Sequence, residues 1–280
     1  MEIIFLGIII SVSAICLLLF YVLWQMERLP RNRPVKYMRP IGKKTVVLAG
    51  DSITHGQIGE NYVSMLARRL DGSKFALVNA GVNSHLAWNL LQRVDEIIAC
   101  EPDFITILIG TNDAAAVTSI EESEFYVKRL KLPQIPDDLW FRESLQELVT
   151  RLQNETSANI ALISIPPIGE ILDHPAFRIS SEYIKSIQEV ANVTDVAYLP
   201  LHEKMLIYLK DNTGTPTYPF ENAKIGMFLA CVKRYIQRKN WNTIGREAGF
   251  QLHIDYLHLN TVGASMIVDL IQNFVTSFNI

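Results

Sequence analysis

Ser52 is the residue in this sequence best placed to act as a nucleophile. It follows residues 45–49, a run of β-branched and small apolar residues that predicts a fully buried strand, broken at Gly50. In an α/β sheet, chemistry is placed at the carboxyl ends of the strands. A serine there also lies near a helix N-terminus, whose free N–H groups favour developing negative charge. Taken alone, Asp51-Ser52 is more simply interpreted as a turn with a helix cap.

Two further groups of residues could complete such a site. Asn112 follows a second apolar run that ends in a glycine turn (ILIGTND, residues 107–113), and Asp255 and His258 form a D-x-x-H near the C-terminus. A serine hydroxyl is unreactive at neutral pH and needs a general base, which His258 could supply. The i, i+3 spacing brings the Asp255 carboxylate to the same face. His253 is the nearest competing histidine, but its position two residues before Asp255 fits this pattern less well.

Together, the GDS, GTND and D-x-x-H motifs resemble the SGNH hydrolases, also called the GDSL esterase/lipase family, from about residue 45 to the C-terminus. The resemblance implies a catalytic triad of Ser52, His258 and Asp255, and it implies no cofactor. It also implies an oxyanion hole formed by the backbone N–H of Ser52, a backbone N–H after the second strand, and the side-chain amide of Asn112.

The block after the second strand departs from the family pattern. Family members commonly read N-x-G-x-S-G, whereas residues 79–84 read NAGVNS, so that Ser84 occupies the last glycine position. The Ser84 N–H can still donate, but its side chain would narrow the pocket, and a positive φ would strain a serine more than a glycine. An alternative alignment makes Gly81 the donor.

The amino end differs in character from the rest of the chain. Residues 3–24 carry no charge; at about 1.5 Å per residue they are long enough for a bilayer core of roughly 30 Å. This predicts an uncleaved transmembrane anchor over residues 1–24. Residues 25–44 carry seven basic side chains and three prolines, which predicts a semi-extended basic linker. The basic flank favours a single-pass membrane protein with its domain on the cytoplasmic side.

The remaining 45–280 segment is expected to form one hydrolase domain. Its net charge of −8 argues against a nucleic-acid partner, and its size suits one α/β domain with a substantial core. The cysteines give neither a disulfide framework nor a zinc spacing, and His55, His85, His174 and His202 show no ligand spacing, so no metal is expected. No phosphate loop is present either. Asp51 and Asp113 are expected to brace loops rather than to take part in catalysis.

Apolar runs alternate with helical patterns through this segment. Strands are predicted at 45–49, 75–79, 104–109, 160–165 and 196–199, and helices at 60–70, 86–100, 141–153, 180–191 and 264–274. Strict alternation implies an α/β fold with a parallel sheet covered on both faces. The family resemblance makes it a flavodoxin-like three-layer α/β/α sandwich with a five-stranded parallel sheet. Residues 114–138 and 211–250 are longer than ordinary connections and could be a lid, substrate-recognition walls or decoration.

The sequence therefore predicts a membrane-anchored serine esterase with an acyl-enzyme on Ser52. Short acyl or O-acetyl esters and lipid esters are all compatible substrates, so the expected partners are a small-molecule, glycan or lipid ester and the membrane. An O-acyltransferase with the same triad, a catalytically silent SGNH-fold binding module and, more remotely, a phosphate- or flavin-binding sheet are the alternatives. The oligomeric state is not indicated.

Overall fold

The central sheet has the predicted parallel arrangement. The structure is a computed structural model that describes residues 2–278, without the side chains of residues 2–4 and 6–12. Its strands are β1 (Lys44–Gly50), β2 (Phe75–Gly81), β3 (Phe104–Leu108), β4 (Asn159–Ile163) and β5 (Ala197–Leu199). They lie in the order β2-β1-β3-β4-β5, and every pair is parallel. The prediction of a five-stranded parallel sheet is confirmed.

Helices cover both faces of this sheet. In the described chain the α-helices are α1 (Glu2–Glu27), α2 (Ser52–His55), α3 (Tyr62–Arg69), α4 (Ala87–Leu91), α5 (Val94–Ile98), α6 (Thr111–Ala116), α7 (Ile120–Leu130), α8 (Asp138–Glu155), α9 (Pro175–Val193), α10 (Leu201–Asp211), α11 (Ala223–Tyr235), α12 (Trp241–Glu247) and α13 (Thr261–Thr276). One layer contains α3, α10 and α13, and the other contains α4, α5, α8 and α9. The three-layer sandwich is confirmed.

The core explains why the strands are continuous apolar runs. β1 is the second strand of the order and is paired on both edges, and residues 46–49 in it have no exposed surface. A strand buried on both faces cannot alternate polar and apolar residues. Because these strands are parallel, the carboxyl ends of β1, β2 and β3 lie side by side. Gly50 is in register with Gly81 on one edge and with Leu108 on the other.

The predicted transmembrane anchor is wrong. None of the helices in the described part of the chain is both long enough and apolar enough to cross a bilayer. A membrane-spanning helix needs about 20 consecutive, predominantly apolar residues, and the last turns of α1 pack against the domain instead. Val22 and Met26 are buried in a cluster that includes Cys231 and Trp241. The cytoplasmic placement stays a prediction from the basic flank alone.

The basic segment after α1 is held against the edge of β2. Asn32 donates its side-chain amide to the Leu77 carbonyl at 2.9 Å and accepts the Asn79 N–H through its own carbonyl at 3.0 Å. Further along, Arg39 and Lys44 each reach the Asp103 carboxylate at 3.0 Å. The basic segment contains one 3₁₀ turn, Pro34–Lys36, and is otherwise irregular between α1 and β1. Its prolines disfavour a longer helix.

One predicted helix is interrupted. Residues 86–100 form two short helices, α4 and α5, with a break at Gln92 and Arg93. Arg93 has the non-helical dihedrals φ −121° and ψ 20°, and its guanidinium turns inward to donate to the carbonyls of Gly50 and Ala80. The prediction of one continuous helix was wrong because a periodicity of apolar residues does not show that a charged side chain turns into the domain.

Candidate active site

Ser52 lies where β1 gives way to α2. Asp51 caps this helix by accepting the Ile53 N–H at 2.9 Å. The Ser52 side chain is thereby fixed at the carboxyl edge of the sheet, with the residue only 8% exposed. Its backbone N–H makes no hydrogen bond within the described chain, so this donor is free for a ligand.

Ser52, His258 and Asp255 form one hydrogen-bonded chain. Ser52 Oγ lies 2.9 Å from His258 Nε2, and His258 Nδ1 lies 2.9 Å from Asp255 Oδ2. An ionised carboxylate only accepts hydrogen bonds, so Nδ1 carries the proton and Nε2 can accept the serine proton. This is the geometry of a nucleophile, its general base and the group that orients the base.

The electrostatics of this chain favour proton transfer from the serine. Burial lowers the pKa of His258, but the charge and hydrogen bond of Asp255, with the charge of Asp51, outweigh burial and raise the pKa above its ordinary value. Burial raises the pKa of Asp255, but the charge and hydrogen bonds of His258 and the Leu257 N–H outweigh it and lower the pKa. Asp255 therefore stays ionised and can stabilise the imidazolium formed when Ser52 loses its proton.

The loop that carries Asp255 and His258 is closed on itself. The Ile254 N–H donates to the His258 carbonyl, and the Asn260 N–H donates to the Leu252 carbonyl, each at 2.9 Å. Asp255 Oδ1 also accepts the N–H groups of Leu257 and His258, both at 2.7 Å. The Asp255 carboxylate therefore orients the backbone of the loop as well as the imidazole ring.

His253 is a structural residue in this arrangement. It is fully buried, with Nδ1 2.9 Å from Glu170 Oε1 and Nε2 3.1 Å from the Pro167 carbonyl. Glu170 also accepts the N–H groups of residues 251–253. These contacts tie the segment after β4 to the loop of Asp255 and His258. No sequence pattern indicates that Glu170 is the partner of His253.

Asn112 projects from α6 directly after β3. Its Nδ2 donates to the His85 carbonyl at 3.0 Å, and its Oδ1 accepts the Tyr126 hydroxyl at 2.8 Å. Gly110, with φ 120°, precedes the helix and makes the sharp turn out of the strand. An added Cβ at Gly110 would come within 2.9 Å of the Phe141 ring.

The block after the second strand (residues 79–84, called the second block below) contains one backbone N–H that is free and one that already donates a hydrogen bond. Ser84 has φ 63°, the left-handed conformation anticipated from the family glycine, and its N–H makes no hydrogen bond within the described chain. The Gly81 N–H instead donates to Asn79 Oδ1 at 2.9 Å. The geometry therefore favours Ser84 over Gly81 as the donor from this block.

The other two acidic residues of the motifs lie in loop-bracing positions. Asp113 accepts the Ala87 N–H on both oxygens at 3.2 Å. Burial raises the pKa of Asp113 to about 8 and that of Asp51 to about 6. Neither carboxylate hydrogen-bonds to His258.

Arg93 and Tyr126 are site residues that sequence reasoning missed. Arg93 donates through Nε to His85 Nδ1 at 3.2 Å and through Nη2 to two strand-end carbonyls, so it ties the carboxyl ends of β1 and β2 together. Burial lowers its pKa to about 10. Tyr126 lies on α7, in the inserted 114–138 segment. The sequence contains only weak indications of these two residues. Arg93 is a charged residue within a predicted amphipathic helix, and Tyr126 lies in a long connection that follows a strand at the carboxyl edge of the sheet.

The two inserted segments meet beside the site. A cavity of about 410 Å³ lies between α7 and the start of α11, and its lining includes Tyr126, Leu257, Phe220 and Glu122. Lys224 of α11 pairs with Glu122 at 2.8 Å. Within the residues that the structure describes, no group of three or more metal-ligating side chains occurs.

The sequence profile of the GDSL-like lipase/acylhydrolase family matches residues 48–222, more than half of the chain. The chain belongs to this family. Membership in the GDSL-like family makes it an ester-bond hydrolase. No curated protein sequence matches the chain significantly.

Solved structures share the fold of this GDSL-like chain. An acetylxylan esterase from Geobacillus stearothermophilus has a TM-score of 0.57 at 17% identity, covering 85% of this chain and 97% of that one. A lipase/acylhydrolase from Enterococcus faecalis has a TM-score of 0.55 at 21% identity, covering 84% and 96%. The acetyl xylan esterase AlAXEase has a TM-score of 0.56 at 19% identity, covering 82% and 99%. At these identities the likeness concerns the fold alone.

Proposed function

We propose that the chain is a serine esterase that hydrolyses short acyl esters, O-acetyl groups on sugars in particular, through an acyl-enzyme on Ser52. The observation that carries the proposal is the continuous Ser52–His258–Asp255 hydrogen-bonded chain at the carboxyl edge of the sheet. Membership in the GDSL-like family supports ester hydrolysis. The acetyl specificity draws on the names of structurally similar proteins, two of which are acetylxylan esterases.

In the proposed first step, Ser52 Oγ attacks the ester carbonyl while His258 Nε2 takes the hydroxyl proton. The carbonyl oxygen becomes an oxyanion, which the N–H groups of Ser52 and Ser84 and the free N–H of Asn112 Nδ2 would stabilise. The imidazolium then gives its proton to the departing alcohol as the C–O bond breaks, which leaves an acyl group on Ser52. Water repeats the sequence, with His258 again as base, and releases the acid and the free serine.

One feature supports a short acyl group, and a second one bears on the alcohol of the ester. Ser84 places a side chain where a family glycine would leave open space, so the pocket beside its N–H is narrower. The cavity between α7 and α11 has a mainly apolar surface, with the carboxylates and hydroxyls of residues such as Glu121, Glu221 and Thr118 among its lining. These carboxylates and hydroxyls can accept hydrogen bonds from the hydroxyls of a sugar alcohol, and the Phe220 ring can pack on the sugar face.

The test is acid release by the 280-residue chain from 4-nitrophenyl acetate, butyrate and decanoate and from acetylated xylooligosaccharides. We expect the highest kcat/KM on acetyl esters and its loss in Ser52→Ala, with Ser64→Ala, on the exposed face of α3, as the matched control. Preference for decanoate would contradict the short-acyl assignment. Acyl transfer to an added sugar without net hydrolysis would contradict the esterase, and no reaction by a folded chain would indicate a silent module.

A further inference from the structure

Asn112 is held from both sides of its amide. Nδ2 donates to the His85 carbonyl at 3.0 Å, and Oδ1 lies 2.8 Å from the Tyr126 hydroxyl. A carbonyl oxygen can only accept, so the amide group that faces His85 must be the NH₂. The amide oxygen therefore faces Tyr126, and the phenol must be the donor.

This pairing leaves a defined donor. A side-chain amide has two N–H groups on its nitrogen, and one of them is used by the His85 carbonyl. With the oxygen fixed by Tyr126, the amide plane cannot rotate without breaking one of the two bonds. The second N–H makes no hydrogen bond within the described chain and has a fixed direction, which is what a preorganised oxyanion donor requires.

Tyr126 is itself rigidly held. It is 6% exposed on α7, with its ring edge-on to Phe125 at a centroid distance of 5.5 Å. The N-terminus of α7 is capped by Ser119, which accepts the Glu122 N–H, and Ser123 Oγ donates to the Ala116 carbonyl at 2.7 Å, which joins α7 to α6. Burial raises the pKa of Tyr126 above its ordinary value, so the hydroxyl keeps its proton over the working pH range.

We propose that Tyr126 is a positioning residue for the oxyanion hole: it fixes the Asn112 amide and thereby makes α7 a support of the catalytic machinery. The inference rests on the proposed esterase function. It also assigns a role to the 114–138 segment. The sequence alone was compatible with three roles for this segment: a lid, a substrate-recognition wall or decoration of the domain. Tyr126 acts through Asn112 and does not itself contact the reacting atoms.

The first test is Tyr126→Phe, which removes one oxygen atom and keeps the ring. We expect kcat on an acetyl ester to fall roughly tenfold, the scale of one lost hydrogen bond, with KM and the pH profile unchanged. Tyr183→Phe is the matched control, because Tyr183 is equally buried but its hydroxyl has no hydrogen-bond partner in the described chain. Its kcat should equal that of the wild type.

A double-mutant cycle separates positioning from general packing. If Tyr126 acts through Asn112, Tyr126→Phe should cause no further loss of kcat in an Asn112→Ala background. An additive loss, or a normal kcat in Tyr126→Phe alone, would overturn the proposal. If Tyr126→Phe does not fold, Ser123→Ala loosens α7 from α6 and should lower kcat only when Asn112 is present; equal losses in both backgrounds would overturn it.

Failure of the proposed esterase function would give a different result from failure of the positioning role. In that case the wild type and Tyr183→Phe would release no acid from any ester. An active wild type that depends on Ser52 but is indifferent to Tyr126→Phe would refute the positioning role alone.

Discussion

The Asn79 side-chain oxygen accepts the Gly81 N–H at 2.9 Å, while its amide nitrogen donates to the Thr54 carbonyl at 2.8 Å. The first of these hydrogen bonds occupies the Gly81 N–H, which the alternative alignment of residues 79–84 assigned to the oxyanion hole. The second joins the end of β2 to α2, which carries Ser52. Gly81 must be a glycine here, because an added Cβ would lie 2.1 Å from the His55 nitrogen.

Replacing Asn112 tests the side-chain donor of the proposed hole. Asn112→Ala removes the amide that faces the oxyanion, so we expect kcat to fall by roughly 10²–10³ with little change in KM. The measurement is steady-state hydrolysis of an acetyl ester, with circular dichroism to show that the fold is intact. A near-normal kcat in a folded variant would remove Asn112 from the hole.

The pH profile tests the coupling of Asp255 to His258. The general base must be unprotonated, so kcat/KM of the wild type should rise with pH through a pKa above the ordinary 6.5. Asp255→Asn removes the charge that raises this pKa and permits the unproductive tautomer. We expect the rise to move to lower pH and the maximal rate to fall by roughly 10³–10⁴. An unshifted profile would show that Asp255 does not set the pKa of His258.

Ser84→Gly tests the strain in the second block. Serine at φ 63° has a conformational cost that glycine avoids, partly offset by the greater freedom of glycine in the unfolded chain. We expect a gain of roughly 0.5–1 kcal/mol in the free energy of unfolding, and better turnover of longer acyl esters as the pocket widens.

Lys131→Gly is the control for Ser84→Gly. Lys131 has φ 53° at the exposed end of α7, so its replacement should stabilise the fold without changing the preference for acyl length. Equal acyl preferences in the wild type and Ser84→Gly would mean that the Ser84 side chain does not shape the pocket.

Stability against pH tests the burial of Asp113. Its pKa is raised from 3.8 to about 8 in the folded state, so the folded chain binds this proton more tightly than the unfolded chain does. The resulting stabilisation is complete below about pH 4 and is lost as the pH rises to about 8. We expect Asp113→Asn to flatten the decline in unfolding free energy across that window, measured by urea titration. An identical slope in both proteins would contradict the raised pKa.

Much of the fold was predictable because its signals are local. Each strand is an apolar run ended by a turn, and burial on both faces of a parallel sheet forces that pattern. The motif residues Ser52, Asn112 and His258 were predictable because each follows a strand end or a short fixed spacing. The helix around Arg93 was mispredicted because apolar periodicity does not show that a charged side chain turns inward. The anchor was mispredicted because the length of an uncharged run does not show that Val22 and Met26 pack against the domain.

Partners that meet only through tertiary packing could not be predicted. Glu170 and His253 are 83 residues apart, and Tyr126 meets Asn112 through an inserted helix. Nothing in the local sequence of any of these residues indicates the other. Only the packing of α7 and of the segment after β4 brings them together.

The most direct test of Ser52 as the nucleophile is its covalent labelling. The 280-residue chain would be treated with a fluorophosphonate, which reacts with activated serines. The adduct would be located by mass spectrometry in the wild type and in His258→Ala. We expect an adduct on Ser52 in the wild type and none in His258→Ala. An adduct on another serine, labelling that persists without His258, or no adduct on a folded wild type would contradict the claim that Ser52 is an activated nucleophile.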